Sequence, residues 1–178
     1  MKKLMLLLMM AGVVGMAYGL NPDSFEISCT PSLTYAVTIS TPAGGLTFTG
    51  VAPNTTYVNS STATVTNSGN VSADWKIKGT ELNNWTLGAA SGSNIVRLLG
   101  ALKSVIAVSG DFSTTDDLIT TAEREMNNIQ HTVDQTGNDV TISDQRLLSI
   151  RLDSPTDSTY ETVQKFRVEI KAYPSSTF

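Results

Sequence analysis

Between Ala63 and Lys78 the chain reads Ala63-Thr64-Val65-Thr66-Asn67-Ser68-Gly69-Asn70-Val71-Ser72-Ala73-Asp74-Trp75-Lys76-Ile77-Lys78. Two runs of period-two alternation flank a polar tetrad. Ala63 and Val65 share one face of the first run. Val71, Ala73, Trp75 and Ile77 share one face of the second, with Ser72, Asp74, Lys76 and Lys78 on the other. Side chains alternate across a β-strand, so each run reads as a strand with one wet face. Asn67-Ser68-Gly69-Asn70 predicts a tight hairpin between them, because Asn and Gly tolerate the positive φ such turns demand. Trp75 is then a core aromatic under the sheet.

The same pattern extends outward in both directions. Upstream, Phe25, Ile27 and Cys29 alternate with polar neighbours, as do Tyr35, Val37 and Ile39. Thr41-Pro42-Ala43-Gly44-Gly45 is a turn cluster, Leu46 and Phe48 predict a short strand, and residues 57–66 predict a Ser/Thr-rich one. Downstream, residues 95–108 are apolar and read as strand segments broken at Gly100. Val140 with Ile142, and Leu148 with Ile150 and Leu152, predict two more strands. The last is the clearest: Phe166, Val168, Ile170 and Ala172 face in, Lys165, Arg167, Glu169 and Lys171 face out, and Pro174 ends it. Leu118, Ala122, Met126 and Ile129 sit at helical spacing with Thr114 or Thr115 as N-cap, against a competing polar strand. Roughly eight to ten short strands at intervals of ~8–12 residues read as an all-β fold, an antiparallel immunoglobulin-like or jelly-roll β-sandwich, with at most one short helix near 115–130.

The N-terminus carries an export pattern. Lys2 and Lys3 precede 11 uncharged apolar residues, Leu4 to Val14, and then the small-residue stretch Gly15-Met16-Ala17-Tyr18-Gly19. That run is too short to span a bilayer, which needs ~20 residues, and fits the apolar region of a secretory signal peptide of bacterial type. The expectation is a cleavable signal peptide over 1–19, cut after Gly19 or alternatively after Ala17, and one sandwich domain over 20–178. Cys29 lies too far along the chain for lipidation. No other run is long enough to cross a membrane as a helix, and the strands are short for an outer-membrane barrel.

Composition narrows function. Residues 20–178 carry 10 basic and 16 acidic side chains. Such a balance repels phosphate backbones and anionic lipid, so neither nucleic acid nor a lipid surface is an expected partner. Among the same residues are 19 Ser and 24 Thr, which suits half-solvated antiparallel sheets. One cysteine excludes an internal disulfide framework, and its place in the alternation reads as a small buried hydrophobe. The single histidine, His131, lies in a polar stretch and reads as an exposed loop residue. One His and one Cys do not make a zinc site, and no Ser-His-Asp arrangement stands out. Six Glu and ten Asp include no pair placed for glycoside hydrolysis. No catalytic, cofactor or metal residue is assigned. Two acidic groups, Asp111 with Asp116 and Asp117, and Asp153 with Asp157, allow a weak Ca2+ site, against ordinary turn and cap roles. Trp85, in Asn83-Asn84-Trp85-Thr86, is the aromatic best placed for a ligand contact such as a glycan, or else a lid over the core edge.

Residues 62–71 resemble the V-x-N-x-G-N hairpin of bacterial surface immunoglobulin-like and adhesion-related modules, and are similar to the same turn in camelysin-type secreted matrix-fibre proteins. Trp85-Thr86-Leu87 resembles the short motif of W-x-L cell-wall-binding domains, although those carry two copies and this chain has one. The resemblance implies a β-sandwich and transfers no functional residue. The functional expectation is a non-catalytic, exported structural or interaction protein of the bacterial cell envelope or extracellular matrix, partnered by envelope or matrix proteins or by itself. The segment with Phe25 and Ile27 is the candidate for strand donation to a neighbour's sheet edge. The alternatives are a secreted carbohydrate- or cell-wall-binding module and an exported carboxylate-dependent hydrolase.

Overall fold

Where the alternation is most regular, one face of a strand is buried. The computed structural model describes residues 26–127 and 129–175, so the expected signal peptide lies outside the described residues. The chain divides after Ser32 into two units. In the first, residues 26–32 are exposed and carry no regular secondary structure. Cys29, expected to be buried, is exposed with them.

The second unit is nearly all-β. Its strands are β1 (Val37–Ser40), β2 (Thr56–Val58), β3 (Ala63–Asn67), β4 (Ala73–Glu81), β5 (Thr86–Leu87), β6 (Ile95–Lys103), β7 (Leu118–Ile119), β8 (Arg124–Glu125), β9 (Gln145–Asp153) and β10 (Phe166–Pro174). One 7-stranded sheet has the order β1-β3-β9-β6-β5, with β2 also on β9 and β7 on β6; a 3-stranded sheet has the order β10-β4-β8. All pairs are antiparallel except β5 with β6. Both sheets feed one core: Val65 of β3, Leu98 of β6 and Ile150 of β9 meet Trp75 and Ile77 of β4 and Ile170 of β10. Burial of these side chains, at about 1.5–3 kcal/mol each, is the main force holding the sheets together.

The predicted hairpin does not form. β3 pairs with β1 and β9, whereas β4 pairs with β10 and β8. Residues 68–72 therefore arch from one sheet to the other. Buried and half-buried residues do alternate along β3 and β4, but both apolar faces are satisfied by facing each other across the core, and pairing edge to edge is not needed. Side-chain and loop hydrogen bonds take the place of a hairpin ladder. Asn67 Nδ2 donates to the carbonyls of Val71 at 2.9 Å and Val140 at 2.7 Å, and its Oδ1 accepts from Gly69 N at 3.0 Å. Ser68 N donates to Ala36 O and Asn70 N to Thr34 O. A Cβ at position 69 would stand 2.3 Å from the Thr34 carbonyl oxygen, so only glycine allows the arch to lie against this backbone.

The helix near 115–130 is also absent. Leu118 and Ile119 are adjacent and both buried, on opposite faces of β7: Leu118 packs with Leu99 and Phe112, Ile119 with the main core. Of the four residues at helical spacing, Ala122 and Ile129 are exposed. The segment instead leads from β7, on β6, to β8, on β4. The only helical turn among the described residues is the 3-10 turn Ser109–Asp111.

Other differences share one cause, which is contact made far along the chain. Residues 57–66, read as one strand, split into β2 and β3 along β9. Val58 opposes Arg151 and Ala63 opposes Leu148, so four residues stand opposite two. β6 runs unbroken through Gly100, where a Cβ would meet Ile119 Cδ1 at 2.8 Å. Its apolar run is continuous because both faces are buried: Leu98 and Leu102 in the main core, Leu99 and Ala101 in a second cluster with Ala107, Phe112 and Leu118. Leu46 and Phe48 form no strand, and Val140 makes only a bridge to Ala73.

Candidate functional site

The main core is not closed all round. A cleft of about 840 Å³ opens beside it. Ala63, Leu98, Leu148, Ile150 and Leu152 of the large sheet form its floor, and Phe166 and Val168 of β10 face them. Ile39 of β1 lines it as well, so the edge strands of both sheets border it. Its size falls within the ~300–1,000 Å³ usual for ligand pockets.

Two irregular segments shape the opening. Residues 44–51 bring Leu46, Phe48 and Val51 to the lining. They are held by Asn59 Nδ2, which donates to Thr47 O at 2.8 Å, and by Tyr57 OH, which donates to Gly50 O at 3.3 Å. Residues 160–165 bring Tyr160 and Val163. They are tied to the Trp85 turn: Gln164 Oε1 accepts from the amides of Asn84 at 2.9 Å and Trp85 at 3.1 Å. Trp85 itself lines the cleft, half-buried against the main core, and its Nε1 donates to Ser158 Oγ at 2.9 Å. The lid position and the ligand-contact position proposed for Trp85 thus coincide. The rim is apolar and wet at once, since Ile39, Leu82, Tyr160 and Val163 are exposed large hydrophobic side chains. Glu161 and Lys165 also line it.

The most perturbed titratable groups lie elsewhere. His131 is not an exposed loop residue; it is fully buried, with φ at +58°. Its backbone carbonyl accepts from Leu102 N at 2.8 Å. Its Nδ1 donates to Gly100 O at 2.7 Å, which places the ring proton on Nδ1 and leaves Nε2 a buried acceptor without a partner. Burial, first, drives its pKa down to about 4, aided by the Arg124 charge and opposed by the Gly100 carbonyl and Asp116. Asp117 is buried too. Its Oδ2 accepts from Ser113 N at 2.8 Å, and its Oδ1 has no partner. Burial raises its pKa to about 6, against the pull of the Ser113, His131 and Thr132 amides. Neither side chain lines the cleft.

The carboxylates weighed for Ca2+ have other partners. Asp111 pairs with Lys103 at 2.5 Å, and Asp116 accepts from Ser113 Oγ at 2.8 Å. Asp153 takes hydrogen bonds from Arg97 Nε at 2.7 Å, Arg151 Nε at 2.9 Å and Thr56 Oγ1 at 2.8 Å. Burial alone would raise its pKa, but these bonds outweigh it and hold the group below its usual value. Asp157 accepts from Ser93 Oγ. Among the described residues no three His, Cys, Asp or Glu side chains converge on a metal site. Among the other carboxylates, Glu123 bonds Lys171 and Tyr173, and Glu169 pairs with Lys78.

Of the strand-donation pair, Phe25 lies outside the described residues and Ile27 is exposed. The sequence singles out Trp85, which lines the cleft, but not Ile39, Leu82, Tyr160 and Val163, which line it too. The available signal was lone apolar residues inside polar turn segments, such as Val163 in Thr162-Val163-Gln164. Compared with protein-family models, with curated proteins and with solved structures, the chain matches none.

Proposed function

We propose that this protein is a non-catalytic, exported structural or interaction protein of the bacterial cell envelope or extracellular matrix. Its domain is an immunoglobulin-like or jelly-roll sandwich whose cleft receives an apolar segment of a partner. The cleft carries this reading. Four exposed apolar side chains on one rim are surface that a free domain leaves in water at a cost and that a partner removes from it. The lining is mostly apolar and hydroxyl-bearing, so it offers area more than chemistry. The export pattern at residues 1–19 supports a location outside the cytoplasm.

Fractionating the native host tests the proposal. The wild-type protein is expected in the envelope or matrix fraction. A Leu82→Asp/Val163→Asp variant is expected free in the periplasm or medium. Equal distribution of the two proteins overturns the reading.

A second reading, glycan binding, rests on Trp85 in the cleft wall. Retention on wall polysaccharide that Trp85→Ala abolishes would favour it; unchanged retention would remove it.

A further inference from the structure

The small sheet ends in a strand whose outer side is unpaired. In the order β10-β4-β8, the only neighbour of β10 among the described residues is β4. The two strands run antiparallel over nine consecutive pairs, from Phe166 opposite Glu81 to Pro174 opposite Ala73, with no bulge. Trp75 and Gly79 of β4 turn their backbone groups away from β10: Trp75 N donates to Gly137 O at 2.8 Å, and Gly79 N to Thr120 O at 2.7 Å. Their opposites, Ala172 and Val168, therefore hold non-hydrogen-bonded positions and turn their own N–H and C=O groups outward. By the same alternation Phe166 and Ile170 do so too. Among the described residues these outward groups meet no backbone partner. An unpaired ladder of this kind is a template for another strand, which proteins blunt with short edges, bulges or proline. β10 has nine residues, and its proline comes only at the end.

The two faces of this edge differ in chemistry. On one, Phe166 and Val168 line the cleft, half-buried against the main core. On the other stands Arg167, its side chain 61% exposed. Its nearest carboxylate, that of Glu169, is 3.9 Å away and lies closer to Lys78, at 3.0 Å. Lys165, exposed at the head of the strand, adds a second positive charge. The chain as a whole carries a net charge of −4, so its unpaired edge is basic where the molecule is acidic.

We propose that the outer edge of β10 takes up an extended segment of a partner protein, apolar at alternate positions and acidic between them, as an added strand. This rests on the cleft reading above and states the shape and charge of what the cleft receives. Each requirement has its own source. Only extended backbone matches the spacing of the open N–H and C=O groups. Side chains on the inner face of the added strand turn toward the cleft, as those of Phe166 and Val168 do, and must be apolar. Side chains on its outer face stand beside Lys165 and Arg167, where acids are attracted and bases repelled. The backbone bonds hold the segment, and the charges select it.

Blocked synthetic peptides test it against the protein purified from its host. The probe is Thr-Val-Glu-Val-Glu-Val-Thr, which reads the same in both directions and so suits either strand orientation. It is expected to bind and to slow amide exchange at Val168. The same peptide with Lys in place of Glu should bind about tenfold more weakly or worse, and Arg167→Glu should narrow or reverse that preference. Two further peptides carry N-methyl groups, one on every Val and the other on every Glu. An added strand donates from only one of these alternate sets, so one methylated peptide should lose about tenfold or more relative to the other. These comparisons change the peptide, so a misfolded variant cannot produce them. No binding of the acidic peptide, equal binding of the lysine peptide, or equal binding of the two methylated peptides overturns the proposal. The protein alone is expected to sediment as a monomer; association that the acidic peptide reverses would make a second copy the occupant and overturn the separate partner. If the peptides fail while Leu82→Asp/Val163→Asp still releases the protein from the envelope fraction, strand addition falls and the cleft reading stands.

Discussion

The core shared by the two sheets is sealed where Asn67, Trp75, Met126 and His131 lie and open where Ile39, Leu82, Tyr160 and Val163 lie. On the sealed side, loop backbone is bonded directly into the sheets. Trp75 N donates to Gly137 O at 2.8 Å, Met126 N to Trp75 O at 2.9 Å, and Val140 N to Ala73 O at 2.9 Å. Asn67 bonds two carbonyls there, and Trp75, Met126, Val140 and His131 are completely covered. On the open side residues 44–51 are tied down through the side chains of Tyr57 and Asn59, and residues 160–165 through the Gln164 side chain and the Trp85 turn, with about 840 Å³ left beside the core. Backbone bonds into the sheets draw a loop down onto the core; where side chains make the tie instead, apolar side chains stay at the water boundary. Stability should therefore concentrate on the first side and binding on the second.

The strongest way to break this contrast is Asn67→Asp. The change removes both amide donors and sets a carboxylate against two buried carbonyl oxygens. We expect about 3–5 kcal/mol of destabilisation, read from the urea midpoint. A loss within the range of an ordinary surface change would show that the arch is not what seals the core.

The buried pair near β6 sharpens the comparison through pH. The folded-state pKa of His131, about 4, lies below the ordinary 6.5, so between these values the unfolded chain takes up a proton that the folded one does not. Its contribution is present above pH 6.5 and lost on acidification, by about 3 kcal/mol in total. Asp117 has the opposite sign. Its folded-state pKa of about 6 lies above the ordinary 3.8, so acidification through pH 6 restores about 3 kcal/mol that ionisation had removed. The two changes nearly cancel between pH 4 and 6. Asp117→Asn should lose about 3 kcal/mol relative to wild type over that window, and His131→Gln should gain about as much, whatever their absolute stabilities. Parallel stability-pH curves for wild type and both variants would show that neither group titrates as its burial requires.

Gly100→Ala should cost about 1–3 kcal/mol, because the added methyl meets Ile119 in a strand buried on both faces. Thermal unfolding measures it. Smallest of all, Leu82→Asp/Val163→Asp should change stability by less than about 1 kcal/mol in total while abolishing whatever the cleft holds. A large loss of stability there would mean that the rim supports the fold and is not a receiving surface.

These sites were unequally legible. Trp75, Ile77, Leu148, Ile150 and Ile170 could be placed in the core from alternation alone, because a strand's period of two needs no knowledge of its partner. Trp85 could be flagged because a large ring among Asn residues is unusual. His131 could not, because its burial comes from Gly100 and Leu102, about thirty residues away, and from a positive φ that no local pattern announces. The helical spacing of Leu118, Ala122, Met126 and Ile129 was genuine in the sequence, but pairing with β6 and β4 overrode it.

By itself the sequence determined that the described residues are nearly all-β and, for β3, β4, β9 and β10, which run is a strand and which side of it is apolar. The N-terminal run of lysines, apolar residues and small residues, expected to be an export signal, is likewise a matter of local order in the chain. Only the tertiary structure decided which strands pair, that residues 68–72 arch between sheets, and that one side of the core stays open. The physical reason is that alternation states only that a face must be buried. What buries it depends on contacts made across the whole chain, and here Asn67 and Gly69 lock an arch where the same residues would also suit a hairpin.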